Sequence, residues 1–224
     1  MVMNKKIGIA KKIGMTEIID AEGLVEAATI LQFEPYEILA ISPQSDDSGD
    51  EKGDEKGGDT KVRITIGFNP IKESKCTKPQ RGQFKKYGTQ NYKFIREYEV
   101  LSSEALVLNA IINAELFEEN EVVNVRAKTK GCGFAGTIKR HHFSRGPMSH
   151  GSKNHRLPGS IGGGTDPGRV LKGTKMGGRL GNKFVTTKNL KVLKVDTDKN
   201  IIYIKGAVPG ANSGMIELTS KEVA

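Results

Sequence analysis

The chain of 224 residues contains no tryptophan, two cysteines and few aromatic residues, which make up 6% of the sequence. The scarcity of aromatic rings argues against base stacking as the main means of binding nucleic acid. Two thiols, Cys76 and Cys132, are too few for a disulfide framework and are typical of a reducing compartment. We therefore expect both cysteines to be free, with a disulfide between them as the less favoured alternative.

Long apolar runs and targeting segments are also lacking. No run of about 18 apolar residues occurs, so the sequence predicts no membrane-spanning helix. The segment from Met1 to Lys12 lacks the apolar stretch of a signal peptide and the Ser- and Arg-rich pattern of a transit peptide. We expect the protein to act in the compartment where it is made, unless a presequence has already been removed.

Acidic residues are nearly absent from one part of the chain. Between Arg126 and Lys194 there are sixteen Lys and Arg residues and one acid, Asp166, so this segment carries +15 while the rest carries −6. It also contains all four histidines and fourteen of the 27 glycines. Because so many cations repel one another unless a polyanion neutralises them, the segment predicts contact with nucleic acid.

The central part of this segment has too few apolar residues for a core. Only eight large apolar side chains occur among the 43 residues from His141 to Lys183. Burial of these eight cannot offset the conformational entropy that is lost when 43 backbones are fixed. We expect the segment to be mobile by itself, or to be ordered by a partner outside it.

The rest of the sequence predicts β-strands. One hairpin is expected from Ile13 to Phe33 with Gly23 in its turn, and another from Asn189 to Lys205 around a Thr-Asp-Lys-Asn turn. Val192, Ile202 and Ile204 are predicted core residues in the second hairpin. Further strands are predicted at 36–41, 62–68, 92–101 and 122–129, whereas 105–117 is ambiguous between helix and strand.

Strands on both sides of the basic segment indicate that it is an insertion in an antiparallel sheet or barrel. The predicted fold is therefore mainly β, with a body formed by 1–140 and 185–224 and a long extended arm formed by 141–184. Residues 45–60 contain seven acids and no apolar residue, so we expect a disordered, solvent-exposed loop there. Mimicry of nucleic acid by these acids is the less favoured alternative.

The most specific motif, residues 124–143, lies at the base of the predicted arm. Gly131, Gly133 and Gly136 allow the backbone to approach another surface closely and offer successive N–H groups to phosphate. The motif resembles the signature of the universal large-subunit ribosomal proteins of the L-three family, bacterial or organellar type. One position differs, because Cys132 stands where the family usually has a basic residue, and a direct phosphate contact there is not expected.

The resemblance extends over nearly the whole chain, the acidic 45–60 stretch being an expansion without a counterpart. The segments that carry it, besides the motif, are Lys11–Thr16, Lys78–Gly88, Gly151–Thr165, Pro167–Asn182 and Lys205–Gly210. It implies a translation-factor-like β-barrel whose arm penetrates ribosomal RNA toward the peptidyl-transferase region and supports early subunit assembly. Some bacterial members carry a methylated glutamine in the arm, and the matching residue here is Arg179, so that modification is not expected.

Charge and resemblance together predict a set of RNA-binding residues within the basic segment. They are Lys128, Lys130, Gly131, Gly133, Lys139, Arg140, His141, His142, Arg145, Lys153, His155, Arg156, Arg169, Lys172, Lys175, Arg179 and Lys183. The predicted partners are large-subunit ribosomal RNA and neighbouring ribosomal proteins, without a membrane or a homo-oligomer. The resemblance places the protein in the ribosome, in bacterial cytoplasm, plastid stroma or mitochondrial matrix.

Two other functions are compatible with a basic, histidine-containing chain. The first is a metal-assisted RNA-processing enzyme, but His150 and His155 lack a Cys or Asp partner at ligand spacing. On a strand, the adjacent His141 and His142 would face opposite ways. Asp166 is the only acid in the arm, so neither catalytic residues, a metal nor a cofactor is predicted. The second alternative is a basic protein that chaperones RNA without a fixed docking site.

Overall fold

The computed structural model describes residues 6–19, 23–43, 61–101 and 107–220, and these fall into two units. The first unit contains the described residues up to Lys128 together with those from Val185 onward. The second unit is Thr129–Phe184, which begins upstream of the predicted start of the arm at His141. The predicted acidic loop at 45–60 and the turn residues 20–22 lie outside the described residues.

Within the described residues the chain forms twelve strands and two α-helices. The helices are α1 (Lys78–Tyr87) and α2 (Thr137–His141). The strands are β1 (Ile7–Ile19), β2 (Val25–Phe33), β3 (Tyr36–Pro43), β4 (Lys61–Pro70), β5 (Tyr92–Leu101), β6 (Ile111–Ile112), β7 (Val122–Lys128), β8 (Phe134–Ala135), β9 (Gly178–Arg179), β10 (Phe184–Asp196), β11 (Ile201–Lys205) and β12 (Met215–Ser220). The protein is therefore mainly β, as the sequence predicted.

Six strands form a ring-like antiparallel sheet in the order β1-β12-β7-β10-β11-β2, in which β2 pairs again with β1. The two predicted hairpins are part of this ring and are confirmed. Ile19 pairs with Val25 in the first, and Gly23 has the positive φ of 79° that its turn position requires. Asp196 pairs with Ile201 in the second. A glycine therefore stands where the backbone of the turn needs one.

A second antiparallel sheet has the order β5-β4-β3-β6. Its strands β3, β4 and β5 confirm the strands that were predicted at 36–41, 62–68 and 92–101. The ambiguous segment at 105–117 becomes, in its described part, the two-residue strand β6 and a 3-10 turn at Ala114–Leu116. Neither a long helix nor a long strand forms there.

One core cluster joins side chains of the ring to side chains of the second sheet. Burial alternates along β7, where Val123, Val125 and Ala127 are buried and the residues between them are not. The predicted core residues Val192, Ile202 and Ile204 are fully buried in this cluster, which confirms the prediction. Apolar alternation in the sequence thus marks the inner face of the sheet.

Helix α1 was not predicted from the sequence. The backbone N–H of Thr77 donates to Oε1 of Gln80 (3.1 Å), which caps the start of the helix, and Gly88 ends it with a φ of 70°. Phe84 is its only buried residue, and it packs edge-on against Tyr92 with ring centroids 6.2 Å apart. One buried residue gives no helical apolar period, and only the cap residues signalled this helix.

Buried polar groups of the first unit are held by specific partners. The Tyr36 hydroxyl donates to the carbonyl of Ile7 (2.6 Å). The Glu217 side chain is only 7% exposed, and its two carboxylate oxygens accept from Arg96 Nε (3.4 Å) and Arg126 Nη1 (3.1 Å). The negative charge of this carboxylate is therefore compensated inside the protein.

Candidate nucleic-acid interface

The base of the second unit is a two-stranded antiparallel ribbon, formed by residues 129–135 and 178–183. Strands β8 and β9 form the end of this ribbon. The sequence analysis did not predict it. Its backbone hydrogen bonds run from Thr129 N–H to Lys183 O (2.9 Å), Asn182 N–H to Lys130 O (3.3 Å), Cys132 N–H to Leu180 O (2.9 Å) and Leu180 N–H to Gly133 O (2.9 Å). The ribbon ties the two ends of the basic segment together.

Glycines in the ribbon allow close approach of the chain to itself. Gly181 has a φ of 73°, and a Cβ at this position would overlap the carbonyl oxygen of Lys130, so only glycine fits. The N–H groups of the glycine motif were expected to face phosphate. Within the motif the Cys132 N–H donates to the carbonyl of Leu180, and a phosphate contact of the glycine N–H groups stays a prediction.

One face of the ribbon is covered by α2. Arg140 Nη1 donates to the carbonyl of Met176 (2.9 Å), and a Cβ on Gly178 would overlap that same nitrogen. Because a carbonyl only accepts, His141 donates to Met176 O through a protonated Nε2 (3.0 Å). Ala135 is buried on this face. Arg140 and His141 therefore anchor the chain just before β9.

The loop beyond α2 is also held by backbone contacts rather than by a core. Gly146 N–H donates to the carbonyl of His155 (3.0 Å), and a Cβ on Gly146 would overlap the carbonyl oxygen of Asn154. The His155 ring donates from Nδ1 to the carbonyl of Pro147 (2.9 Å). His155 thus fixes the loop through its ring nitrogen Nδ1.

Large apolar side chains of the segment 141–183 are not buried, as its composition led us to expect. None of its residues is buried, and six of the eight large apolar side chains are exposed. These six are Met148, Leu157, Ile161, Val170, Leu171 and Met176.

Sixteen of the seventeen predicted RNA-binding residues lie in the second unit, and Lys128 lies at the end of β7 in the first. Arg140, His141 and His155 are half-buried, and the other fourteen are exposed. Among the described residues, none of the predicted cations forms an ion pair with an acid. Asp166 is the one acid in the unit, against eleven Lys and Arg side chains. The unit therefore presents unneutralised positive charge to solvent.

The adjacent histidines His141 and His142 do not lie on a strand, the geometry that the sequence analysis considered for them. His141 ends α2, and His142 follows it in the left-handed region with a φ of 60°. His142 is exposed, whereas His141 and His155 contact carbonyl groups. In the described part of the chain, no group of three or more His, Cys, Asp or Glu side chains is placed to hold a metal ion.

Three residues of this unit were missed by the sequence analysis. Gly181 and Gly146 are required by close backbone approach, and nothing in their neighbours distinguishes them from other glycines of the segment. Phe134 projects from β8 and is 82% exposed. Its signal was a large aromatic residue placed between glycines in a segment that cannot form a core.

Both cysteines are free, which confirms the expectation, with Cys76 buried and Cys132 exposed on the ribbon. Among the described residues, no helix has the length and apolar character needed to span a membrane.

Comparison with known proteins identifies relatives along nearly the whole chain. The family described as Ribosomal protein L3 matches residues 99–201. The chain is 42% identical to "Large ribosomal subunit protein uL3" of a Synechococcus species, with 94% of each chain covered. It is 42% identical to the protein of that name from Prochlorococcus marinus, covering 94% of this chain and 91% of the relative. It is 41% identical to "Large ribosomal subunit protein uL3c" of Porphyra purpurea, covering 94% of this chain and 97% of the relative.

Proposed function

The chain belongs to the ribosomal protein L3 (uL3) family, and from this membership we propose that it binds large-subunit ribosomal RNA as a structural constituent of the large ribosomal subunit. Its relatives are large ribosomal subunit proteins of cyanobacterial and plastid type. Members of this family are structural proteins, so the chain is not an enzyme. Its place is a ribosome of the bacterial or plastid type, beside ribosomal RNA and other ribosomal proteins and without self-association.

One observation carries the RNA-binding proposal. The unit Thr129–Phe184 has eleven cations against one acid, and its predicted RNA-binding cations are exposed or half-buried without an acidic partner among the described residues. Phosphate groups would supply the missing negative charge and release the counterions that otherwise accompany both surfaces. Arginines such as Arg145 and Arg179 can bind phosphate through two parallel N–H groups.

The same proposal assigns different tasks to the two units. We take the ring-like sheet to be the translation-factor-like barrel, and the residues 141–184 to be an arm that enters ribosomal RNA toward the peptidyl-transferase region and supports early assembly. The closed strand order of the ring supports the first assignment. The absence of buried side chains from 141–183 supports the second, because such a segment gains order from a partner.

A charge-neutralised variant of the full chain tests where RNA binds. Five exposed cations of the second unit are replaced by glutamine, namely Arg145, Lys153, Arg156, Arg169 and Lys172. Affinity for a large-subunit ribosomal RNA transcript is measured at several salt concentrations. With about eight phosphate contacts the unaltered chain should give a slope of log K against log salt of about −6 to −7. Loss of five contacts should make the slope less steep by roughly 3.5–4.5.

The matched control removes the same charge from the first unit. Five exposed lysines at and before α1 are replaced by glutamine, namely Lys72, Lys75, Lys78, Lys85 and Lys86. The control should keep most of the affinity and of the slope. Equal losses from both variants would refute binding through the second unit. Equal affinity of the unaltered chain for an unrelated RNA of the same length would favour a chaperone without a fixed docking site.

A further inference from the structure

Phe134 is the most exposed large apolar side chain among the described residues, at 82%. It lies in β8, at the end of the ribbon that carries the glycine motif. Exposing an aromatic ring is unfavourable in water, and proteins that bind single-stranded nucleic acid use exposed aromatic rings beside cations as stacking surfaces for bases.

The alternation of side chains explains why the ring is exposed. Ala135 and Gly178 pair across the ribbon and face Arg140 of α2. Their neighbours Phe134 and Arg179 also pair, and their side chains therefore lie together on the opposite, open face. Directly opposite residues in an antiparallel pair have Cβ atoms about 4.5–5.5 Å apart, so the two side chains start from neighbouring points on this face.

A glycine positions the ring. A Cβ on Gly177 would lie 3.2 Å from Cζ and 3.3 Å from Cε1 of Phe134, so the ring leans over the Gly177 backbone in the space that a side chain would fill. One side of the ring is thereby supported, and the remainder is open to solvent. The ring is thus held on a regular strand rather than carried on a loose loop.

The surroundings of the ring favour a nucleic-acid base over an apolar protein surface. The neighbouring side chain on the open face is the exposed cation Arg179, and Lys130 on the same strand of the ribbon is also exposed. The unit has one acid, Asp166, in its distal loop. Every base has a π-face that can stack on an aromatic ring, and its phosphate requires a nearby cation.

We propose that Phe134 is a base-stacking residue: an unpaired base of RNA stacks on the open side of its ring while Arg179 contacts the adjoining phosphate. This proposal rests on the proposed RNA-binding function and adds to it one residue outside the predicted set. It also amends the expectation drawn from the low aromatic content, because a single ring that is held in place is sufficient for one stacked base.

The absence of tryptophan from the chain makes a direct test possible. Phe134→Trp introduces a single tryptophan on the open face, whose emission is excited separately from that of the tyrosines, and stacking of a base quenches this emission. The matched control is Leu157→Trp, which places the same fluorophore at another exposed position of the unit, where the leucine is 66% exposed. The probes are a single-stranded oligouridylate of twelve nucleotides and inorganic polyphosphate, which carries charge without bases.

We expect the oligouridylate to quench Phe134→Trp strongly and Leu157→Trp weakly, and polyphosphate to quench neither. In the full chain, Phe134→Leu should weaken oligouridylate binding by roughly 5- to 150-fold, the range of one stacked base, and Phe134→Tyr should restore it. Binding is followed by the fluorescence anisotropy of a labelled oligouridylate.

The outcomes separate this proposal from the function on which it rests. Normal RNA binding with unchanged emission from Phe134→Trp would overturn base stacking, and would leave the ring as a contact for another protein. Equal quenching by polyphosphate would also overturn it, because charge alone would then account for the signal. Failure of every variant and of the unaltered chain to bind RNA would instead refute the proposed function itself.

Discussion

The ring-like first unit and the basic second unit are ordered by different interactions. In the first, aliphatic side chains from both sheets form a shared core, and even the buried carboxylate of Glu217 is paired with two arginines. In the second, Ala135 and Thr137 are the only buried residues, and the chain is held by backbone hydrogen bonds and by glycines that approach carbonyl groups.

This difference separates two ways in which a sequence can specify structure. Burial of apolar area stabilises the first unit and scales with the number of large side chains. The second unit has its conformation specified by positions where only glycine fits, and its charge remains available for a partner. Substitutions of the same type should therefore act very differently in the two units.

The same leucine-to-alanine change gives the largest expected contrast. Leu31 is fully buried in the ring, so Leu31→Ala removes buried apolar area and leaves a cavity, which should cost about 2–5 kcal/mol of unfolding free energy. Leu157→Ala in the second unit should change the unfolding free energy by less than about 0.5 kcal/mol. Urea unfolding measures both, and similar losses would show that the second unit has a core after all.

Removal of a carboxylate charge should destabilise the protein less than the leucine change does, and again more in the first unit than in the second. Glu217→Gln removes the buried negative charge to which Arg96 Nε and Arg126 Nη1 donate, and should cost about 1–3 kcal/mol. Asp166→Asn removes the one acid of the second unit, at an exposed position, and should stay within about 0.5 kcal/mol. Thermal unfolding distinguishes them, and a stability loss from Asp166→Asn alone would contradict this account.

A glycine-to-alanine pair tests the role of backbone approach within the second unit. Both glycines have a positive φ, 73° at Gly181 and 79° at Gly159. Gly181→Ala places a Cβ against Lys130 O, whereas the Cβ of Gly159→Ala would enter open space. Gly181→Ala should open the ribbon locally, at a cost of about 1–3 kcal/mol, so that the Cys132 and Leu180 amides exchange at least about fivefold faster. These two amides should keep their protection in Gly159→Ala, and equal exchange in both variants would refute the requirement for glycine.

The smallest expected effect is a pH dependence that arises in the first unit. Burial, reinforced by the Glu37 carboxylate to which its hydroxyl donates, raises the pKa of Tyr92 to about 12 from its ordinary value of 10.0. Between these values the unfolded chain has lost a proton that the folded chain keeps, so this contribution to stability is complete below pH 10 and declines toward pH 12.

Tyr92→Phe removes that contribution and isolates it from other groups that titrate at high pH. The difference in unfolding free energy between the unaltered chain and Tyr92→Phe should shrink between pH 9 and pH 11, as measured by urea unfolding. A difference that stays constant or grows over this interval would contradict the raised pKa.

Much of the first unit was predictable because its turn residues and the alternation of its apolar residues are those of β-hairpins. The turn at Gly23 and the alternation around Val192, Ile202 and Ile204 marked two hairpins and a buried face. Helix α1 was not found, because it buries only Phe84 and therefore shows no apolar period. The cap at Thr77 and the glycine at its end were the available signals.

For the second unit, composition predicted chemistry but not arrangement. An excess of cations predicted a polyanion as the partner, and the shortage of apolar residues predicted that no core would form. The ribbon left no periodic signal, because backbone groups hold it and Gly181 resembles any other glycine in the sequence. Phe134 was overlooked because aromatic residues were judged by their overall number rather than by their position.

The contrast between the two thiols has a practical consequence for experiments on this protein. Cys76 lies beneath α1 and is buried, whereas Cys132 is exposed on the ribbon, two residues before Phe134. A thiol-reactive dye added to the folded chain should attach at Cys132, because a buried thiol is shielded from the reagent. The natural sequence therefore accepts a single label beside the glycine motif, and a distance from that label to labelled RNA can be measured without any substitution.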